Sequence, residues 1–388
     1  MSLQLILDKM LFIDTIDHLH VEYNGLSPLD LDDAGVSLLS DYIVSRLVET
    51  NQTFLLFNLA GEGLPLNPLL FTTAIVRCLM LTHHLPKHIF SIDSGAAPSL
   101  YNISLYDRHC ITHNLELIKI RFWNSYENSA SQVQLHRNKR IPDPYYDKFD
   151  TTPRIKQKLF LSYNRNSSRI HRLYLTAEVI RRNLLDRAFF SMYLGGVTLE
   201  ESPNISGELD YHWKNIHHFI PNSCDRIRQT LDDNIDLFPL RLNLYVDSQP
   251  FHIDDDLHYY NNSYFSVVTE TKFFADVAGI YDTQLDCILF SEKTYKPILG
   301  KHPFIFMGFP GSLRVLRESG YRTFHPYIDE TYDTIINDES RLESILDEIE
   351  RLSNFTDDQW LEWQTSVKSI VEHNFEVLKN HRQTCLTR

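Results

Sequence analysis

Two short polar clusters in the second half of the chain carry side chains suited to binding a ligand. Thr269-Glu270-Thr271-Lys272 and Ser291-Glu292-Lys293-Thr294 each follow a short apolar run. Such runs are typical of buried strands, and the second cluster also opens a predicted helix that ends at Gly300. Because ligands of α/β proteins bind at the carboxyl ends of strands and at helix N-termini, both clusters are candidate binding residues.

Glu270 and Glu292 lie where the two apolar runs end. Carboxylates at strand ends commonly accept hydrogen bonds from ribose hydroxyls. Lys293 and Lys296 follow Glu292 within about one helical turn, so an ammonium group could reach a phosphate. A structural alternative stays open for Glu292, because an acid in the first turn complements the helix dipole when Ser291 is the N-cap. Glu270 has the alternative of being an ordinary acidic loop residue.

A third candidate follows the predicted strand Lys158–Tyr163. Arg165, Arg169 and Arg172 flank the start of a predicted helix, Ile170–Leu184. Helix N–H groups, the positive end of the dipole and guanidinium groups all favour a diphosphate at such a place. The same arginines could instead pair with surface acids, and the sequence leaves both interpretations open.

The composition is that of an ordinary globular protein with an acidic surface. Of its 388 residues, 43% are hydrophobic and 23% charged, and 37 Lys and Arg against 51 Asp and Glu give a net charge of −14. A chain of this length usually forms two domains. Long duplex DNA or RNA is not the expected partner, because neutralising phosphates requires Lys and Arg. A local basic patch would still allow contact with nucleic acid.

Neither the cysteines nor the apolar segments indicate a metal centre, an export signal or a membrane span. The five cysteines form no CxxC pair and show no His/Cys metal spacing, so we expect no disulfide framework and no metal site. The first residues lack the basic and uninterrupted apolar regions of a secretory signal, and no window offers about 18 apolar residues. A reduced, cytoplasmic setting is the expectation.

Strands and helices alternate in both halves, which is typical of parallel βαβ units. We predict an N-terminal Rossmann-like domain over residues 1–150, a second over residues 155–355, and a C-terminal amphipathic helix within residues 356–388. The predicted strands are residues 53–59, 88–92, 116–123, 158–163, 265–270, 287–290 and 303–306. The last helix has a stripe of apolar residues at helical spacing: Trp360, Trp363, Val367, Ile370, Val371, Phe375 and Leu378.

One segment resembles a known family. Phe290–Ile305, FSEKTYKPILGKHPFI, is similar to the V-T-E-K-(L/I)-x-x-A-L-L-A-G-x-x-P-V segment of the α-1,3-fucosyltransferases, and residues 158–326 resemble the nucleotide-binding domain of GT-B glycosyltransferases. The resemblance implies that Glu292 and Lys293 face the ribose and phosphates of GDP. It also implies that Arg165 or Arg169 holds the diphosphate. Thr271 stands where the family has Asn, and this departure leaves the identity of the sugar donor open.

The resemblance further implies two Rossmann-like domains facing a cleft and a C-terminal helix, within residues 356–388, that packs back across the domains. It implies transfer of a sugar from a nucleotide-diphosphate donor, with a GDP-sugar favoured. The acceptor would be a glycan or another hydroxyl compound, the nucleotide sugar would be a co-substrate, and no further cofactor is expected. An inverting transferase needs a base to take the acceptor proton, expected from the first domain. Glu62, between two glycines, is the first candidate and Asp93 the second; for each, a turn or capping role is the alternative.

Two alternative functions remain at this point. A phage-type transferase acting on modified DNA bases would use the basic residues around positions 137–140 and 165–172, although the net charge opposes it. A GT-B-shaped protein without activity, serving as a binding or assembly module, would share the same fold.

Overall fold

The computed structural model describes the backbone of four short segments, residues 10–14, 54–58, 89–93 and 120–123. It also describes residues 149–164, 169–192, 217, 219–242, 257–271, 273–274, 288 and 290–387, with side chains to residue 380. The chain divides into two compact units. The first comprises residues 1–128, 281–290 and 385–388, and the second comprises residues 129–280 and 291–384.

The first unit contains a four-stranded sheet in which all strands are parallel and ordered β1-β2-β3-β4. Its strands are β1 (Met10–Asp14), β2 (Phe54–Asn58), β3 (Ile89–Asp93) and β4 (Ile120–Trp123). Their sequences are nearly continuous apolar runs, as expected for strands of a parallel sheet. The register pairs the last residues of the strands in one row, Asp14, Asn58, Asp93 and Trp123.

The second unit contains another four-stranded parallel sheet, ordered β6-β5-β7-β8. Its strands are β5 (Lys158–Asn164), β6 (Ala188–Met192), β7 (Ser263–Thr269) and β8 (Phe304–Met307). The helices are α1 (Ile170–Arg181), α2 (Cys224–Asp233), α3 (Leu257–Asn261), α4 (Glu292–Leu299), α5 (Ser312–Glu318), α6 (Asp338–Ser353) and α7 (Asp357–Thr387). The α/β class with parallel sheets is therefore as the sequence predicted.

The core of the second unit is centred on β7 and β8, in which every residue is buried. Phe160 of β5 stacks on Phe265 of β7 at 5.9 Å between ring centroids. Beyond β8, Tyr332 is buried, and its hydroxyl accepts the Phe306 N–H at 3.2 Å. Burial on both faces explains why these strands are apolar throughout.

Helix α7 packs on the second unit through its first turns. Trp360 stacks on Tyr264 of β7 at 3.9 Å with an interplanar angle of 12°, and Trp363 donates its indole N–H to the Tyr327 carbonyl at 3.1 Å. The apolar residues at helical spacing are all buried: Trp360, Trp363, Val367, Ile370, Val371, Phe375 and Leu378. Among the helices of the described residues, none combines the length and apolar character that crossing a bilayer requires.

Several elements differ from the sequence predictions, and two strands, β1 and β6, were not predicted at all. The helix predicted to reach Leu184 ends at Arg181, because Asn183 adopts a left-handed conformation with φ of 55° that stops it. A strand was predicted over residues 287–290, but the described residues of this segment, Ile288 and Phe290, belong to no strand. Both side chains are nevertheless buried, so at these two positions the apolar character reflects burial without strand pairing.

Candidate ligand-binding site

The carboxyl ends of β5 and β7 lie side by side and are joined by side chains. Thr269 at the end of β7 donates its hydroxyl to the Asn164 carboxamide oxygen at 2.7 Å, and Asn164 is the last residue of β5. The Asn164 amide in turn donates to the Ser162 hydroxyl at 2.9 Å. These buried bonds fix the edge of the sheet from which the following loops and helices begin.

Glu270, the residue after β7, connects this edge to the start of α4. Its carboxylate is buried, with 1% of the residue exposed. One oxygen accepts the Ser291 N–H at 2.8 Å and the Thr294 hydroxyl, and the other accepts the Ser291 hydroxyl at 2.8 Å and the Thr271 N–H at 3.1 Å. A carboxylate has about four acceptor sites, and the chain itself fills them here.

Ser291 is the N-cap of α4, as the alternative interpretation of the sequence anticipated. Its hydroxyl accepts the Lys293 N–H at 3.3 Å while donating to Glu270. Ser is among the preferred N-cap residues because its side chain satisfies an N–H that the helix leaves without a partner. The cap and Glu270 together hold the first turn of α4 against the carboxyl end of β7.

Glu292 and Lys293 form an ion pair in this first turn. The Lys293 ammonium lies 2.8 Å from Glu292 Oε1 and 3.2 Å from the Ser291 hydroxyl. Burial would raise the pKa of Glu292, but Lys293, a backbone N–H and Lys296 outweigh it and hold that pKa below its usual value. Glu292 is therefore ionised at neutral pH. Its Oε2 is buried and accepts no hydrogen bond from the residues that the structure describes.

The start of α1 reaches the same edge of the sheet. Arg169 is its N-cap in an extended conformation, and the Arg169 side chain makes no capping hydrogen bond. The next residue but one, His171, donates from Nε2 to the Glu270 carbonyl at 2.8 Å and stacks on Phe273 at 5.2 Å. Burial, followed by the neighbouring Arg172, lowers the pKa of His171 well below its usual value, so the imidazole is neutral.

The other cations near this edge are used differently. Arg172 is buried and donates to the Thr269 carbonyl at 3.2 Å, so its guanidinium contacts the main chain of β7. Arg169 is only partly buried, and its guanidinium makes no hydrogen bond or ion pair with the described residues. The Lys296 ammonium lies 5.7 Å from the ring centroid of Tyr163, the penultimate residue of β5. Arg169, Lys293 and Lys296 therefore provide positive charge beside β5 and β7.

The structure thus brings six of the predicted site residues to one sheet edge in the second unit: Arg169, Arg172, Glu270, Glu292, Lys293 and Lys296. Glu270 and Arg172 form hydrogen bonds with groups of the chain itself, whereas the sequence predicted contacts with ribose and diphosphate. Arg165 and Glu62 lie outside the described residues. Asp93 ends β3 of the first unit, in register with Asn58.

Two residues that build this edge, Asn164 and His171, were not among the candidates from the sequence. Each contacts a residue about 100 positions away in the chain, because Asn164 accepts from Thr269 and His171 donates to the Glu270 carbonyl. Asn164 was recognisable only as the polar residue that ends an apolar run. In the first sheet Asp14, at the end of β1, pairs in register with Asn58, at the end of β2. Asp14 was not a candidate from the sequence either.

Comparisons with known proteins give weak similarities. No protein-family model matches the chain, and no curated protein matches it. Among solved structures, an α,α-trehalose-phosphate synthase (UDP-forming) from Burkholderia vietnamiensis is similar with a TM-score of 0.39 and 10% identity, over 90% of this chain and 72% of that one. A glycosyltransferase from Rickettsia africae ESF-5 gives a TM-score of 0.39 and 11% identity, over 97% and 88%. Scores of this size support no conclusion about function.

Proposed function

We propose that the protein is a glycosyltransferase that binds a nucleotide-diphosphate sugar at the carboxyl edge of the second sheet. The observation that supports this most is the convergence of two helix N-termini, those of α1 and α4, on Thr269 and Glu270 at the end of β7. Helix N-termini with adjacent cations bind phosphate groups through N–H donors and the dipole. The similarity of residues 290–305 to the α-1,3-fucosyltransferase segment supports the same assignment.

In this proposal the diphosphate is bound by Arg169, Lys293 and Lys296, and Arg165 is a further expected contact. Lys293 is already oriented by Glu292 and the Ser291 hydroxyl, so little side-chain freedom would be lost on binding. Positive charge at this position stabilises the nucleoside diphosphate as it departs. A GDP-sugar is the favoured donor, because the resembling segment belongs to a GDP-using family.

Glu292 is the proposed ribose contact. Its Oε2 is buried and accepts no hydrogen bond from the described residues, whereas its Oε1 binds Lys293. A buried acceptor without a donor costs about 1–3 kcal/mol, and a ribose hydroxyl would supply the missing donor. Glu270 and Arg172 are assigned positioning roles, because their bonds hold α4 and α1 against β7.

The reaction would transfer the sugar to a hydroxyl of a glycan or another acceptor, with inversion. Asp93 and Glu62 remain the proposed bases, since an acid must accept the proton that the acceptor hydroxyl loses. Asp93 occupies the carboxyl end of β3, in one row with Asp14 and Asn58. Ligand-binding residues of parallel sheets commonly lie at this end of the strands.

The test is the release of nucleoside diphosphate from a panel of nucleotide sugars by the full-length protein. Arg169→Gln should lower the rate of release, whereas Arg314→Gln should not, because Arg314 is exposed and pairs with Glu318 on the surface of α5. Glu62→Gln and Asp93→Asn should lower transfer to an acceptor more than they lower donor binding. Equal rates for wild type and Arg169→Gln across the panel would refute the assignment.

A further inference from the structure

A second cluster of side chains, outside the proposed donor site, has the composition of a metal-binding site. His217, Cys224 and Asp225 each offer one donor atom, and these three atoms lie within 4.8 Å of one another. Cys224 and Asp225 are the first two residues of α2, and His217 precedes them by seven positions. One nitrogen, one sulfur and one oxygen therefore face a common point.

The three donor atoms can bind a small divalent ion once the side chains move slightly closer to one another. Zinc binds Cys sulfur at about 2.3 Å and His nitrogen or carboxylate oxygen at about 2.0–2.2 Å, which places tetrahedral donor atoms about 3.3–3.8 Å apart. Closing from 4.8 Å requires a movement of about 1 Å. The side chains that must move, His217 and Asp225, are exposed, whereas Cys224 is buried and fixed by the helix start.

A separate observation is a buried carboxylate oxygen next to this cluster that lacks a hydrogen-bond donor among the described residues. Glu339 of α6 is buried, its Oε2 accepts the Asn222 N–H at 3.3 Å and the Asn222 amide at 2.8 Å, and its Oε1 accepts no hydrogen bond from the described residues. A cation close to this oxygen would offset the cost of leaving the acceptor unpaired.

We propose that His217, Cys224 and Asp225 bind a divalent metal ion, and that Glu339 supports the site as a neighbouring acceptor. Thiolate and imidazole ligands together favour zinc over magnesium or calcium, which prefer oxygen. On binding, the Cys224 thiol releases its proton to solvent and the thiolate sulfur donates to the metal. The role is structural, since the ion would tie His217 to the start of α2 and, through Asn222 and Glu339, to the start of α6.

The experiment is a titration of the metal-free full-length protein with Co²⁺, followed by displacement with Zn²⁺. Wild type should develop a sulfur-to-cobalt charge-transfer band that Zn²⁺ abolishes. Cys224→Ser should not develop the band. His217→Ala and Asp225→Asn should weaken Co²⁺ binding by more than the about 10- to 100-fold that loss of an outer partner costs, and Glu339→Gln by about that amount.

Asp233→Asn is the matched control, because Asp233 is an exposed carboxylate on the same helix and should leave Co²⁺ affinity unchanged. His217 is exposed, so His217→Ala tests the site even if Cys224→Ser fails to fold. The proposal is wrong if wild type shows no charge-transfer band, if the band persists in Cys224→Ser, or if His217→Ala binds Co²⁺ as tightly as wild type.

Discussion

Replacing Glu270 with Gln tests whether one buried carboxylate assembles the candidate site. The carboxylate accepts four hydrogen bonds, two on each oxygen, from Ser291, Thr294 and Thr271. Gln keeps the shape but replaces one oxygen with an NH₂ group, which donates and cannot accept. The two donors that bind the replaced oxygen would then face the NH₂ group of Gln, which cannot accept their hydrogen bonds.

The magnitude follows from the cost of unsatisfied buried groups. Two such groups, at about 1–3 kcal/mol each, predict a loss of about 2–6 kcal/mol in the free energy of unfolding of the second unit. Loss of the Ser291 bonds also releases the start of α4, so Lys293 and Glu292 lose their fixed positions. Nucleotide affinity should therefore fall together with stability, although Glu270 itself is assigned no ligand contact.

Urea unfolding followed by tryptophan fluorescence measures this effect, since Trp360 and Trp363 are buried in the second unit. Glu362→Gln is the control, because Glu362 is exposed and its substitution should change the free energy of unfolding by no more than about 0.5 kcal/mol. If Glu270→Gln unfolds at the same urea concentration as this control, the carboxylate does not hold the edge of the sheet and the reasoning fails.

Two further predictions concern the scaffold. Trp360→Ala should cost about 3–5 kcal/mol in urea unfolding, because the ring is buried and stacks on Tyr264; a cost below about 1 kcal/mol would contradict the packing of α7 on β7. Burial lowers the pKa of His302 from 6.5 to about 3, and a hydrogen bond to the Ser263 carbonyl opposes this shift. The contribution of His302 to the free energy of unfolding is therefore complete above about pH 6.5 and is lost as the pH falls toward 3. His302→Gln should therefore flatten the fall in the free energy of unfolding between about pH 6.5 and 5 by up to about 1.4 kcal/mol per pH unit, and a slope equal to that of wild type would refute this.

The regular elements of the second unit were largely predictable from the sequence. Apolar runs at residues 158–163 and 303–306 correspond to β5 and β8, because strands buried on both faces must be apolar throughout. The run at residues 287–290 has the same composition, but neither described residue of it pairs in a strand. An apolar composition indicates that a segment is buried. Whether the segment pairs as a strand depends on neighbouring strands, which its own sequence does not specify.

The candidate site was predictable in position but not in the use of each side chain. In the structure Glu292 and Lys293 lie in the first turn of α4, and Arg169 lies at the start of α1. Whether an acid binds a ligand or its own chain depends on long-range contacts, such as those between Glu270 and Ser291. The grouping of His217 with Cys224 was hidden for the same reason, because no familiar metal-ligand spacing separates them.

The most direct test of the account is calorimetric titration of the protein with GDP and, separately, UDP. Wild type should bind at least one of them, and Lys293→Met should bind it about 10- to 150-fold more weakly, the loss expected for one charge-assisted hydrogen bond of about 1.5–3 kcal/mol. Lys379→Met, which removes a lysine that pairs with Glu376 on α7, should bind like wild type. Absence of binding by wild type, or equal affinities for wild type and Lys293→Met, would contradict a diphosphate site at the end of β7.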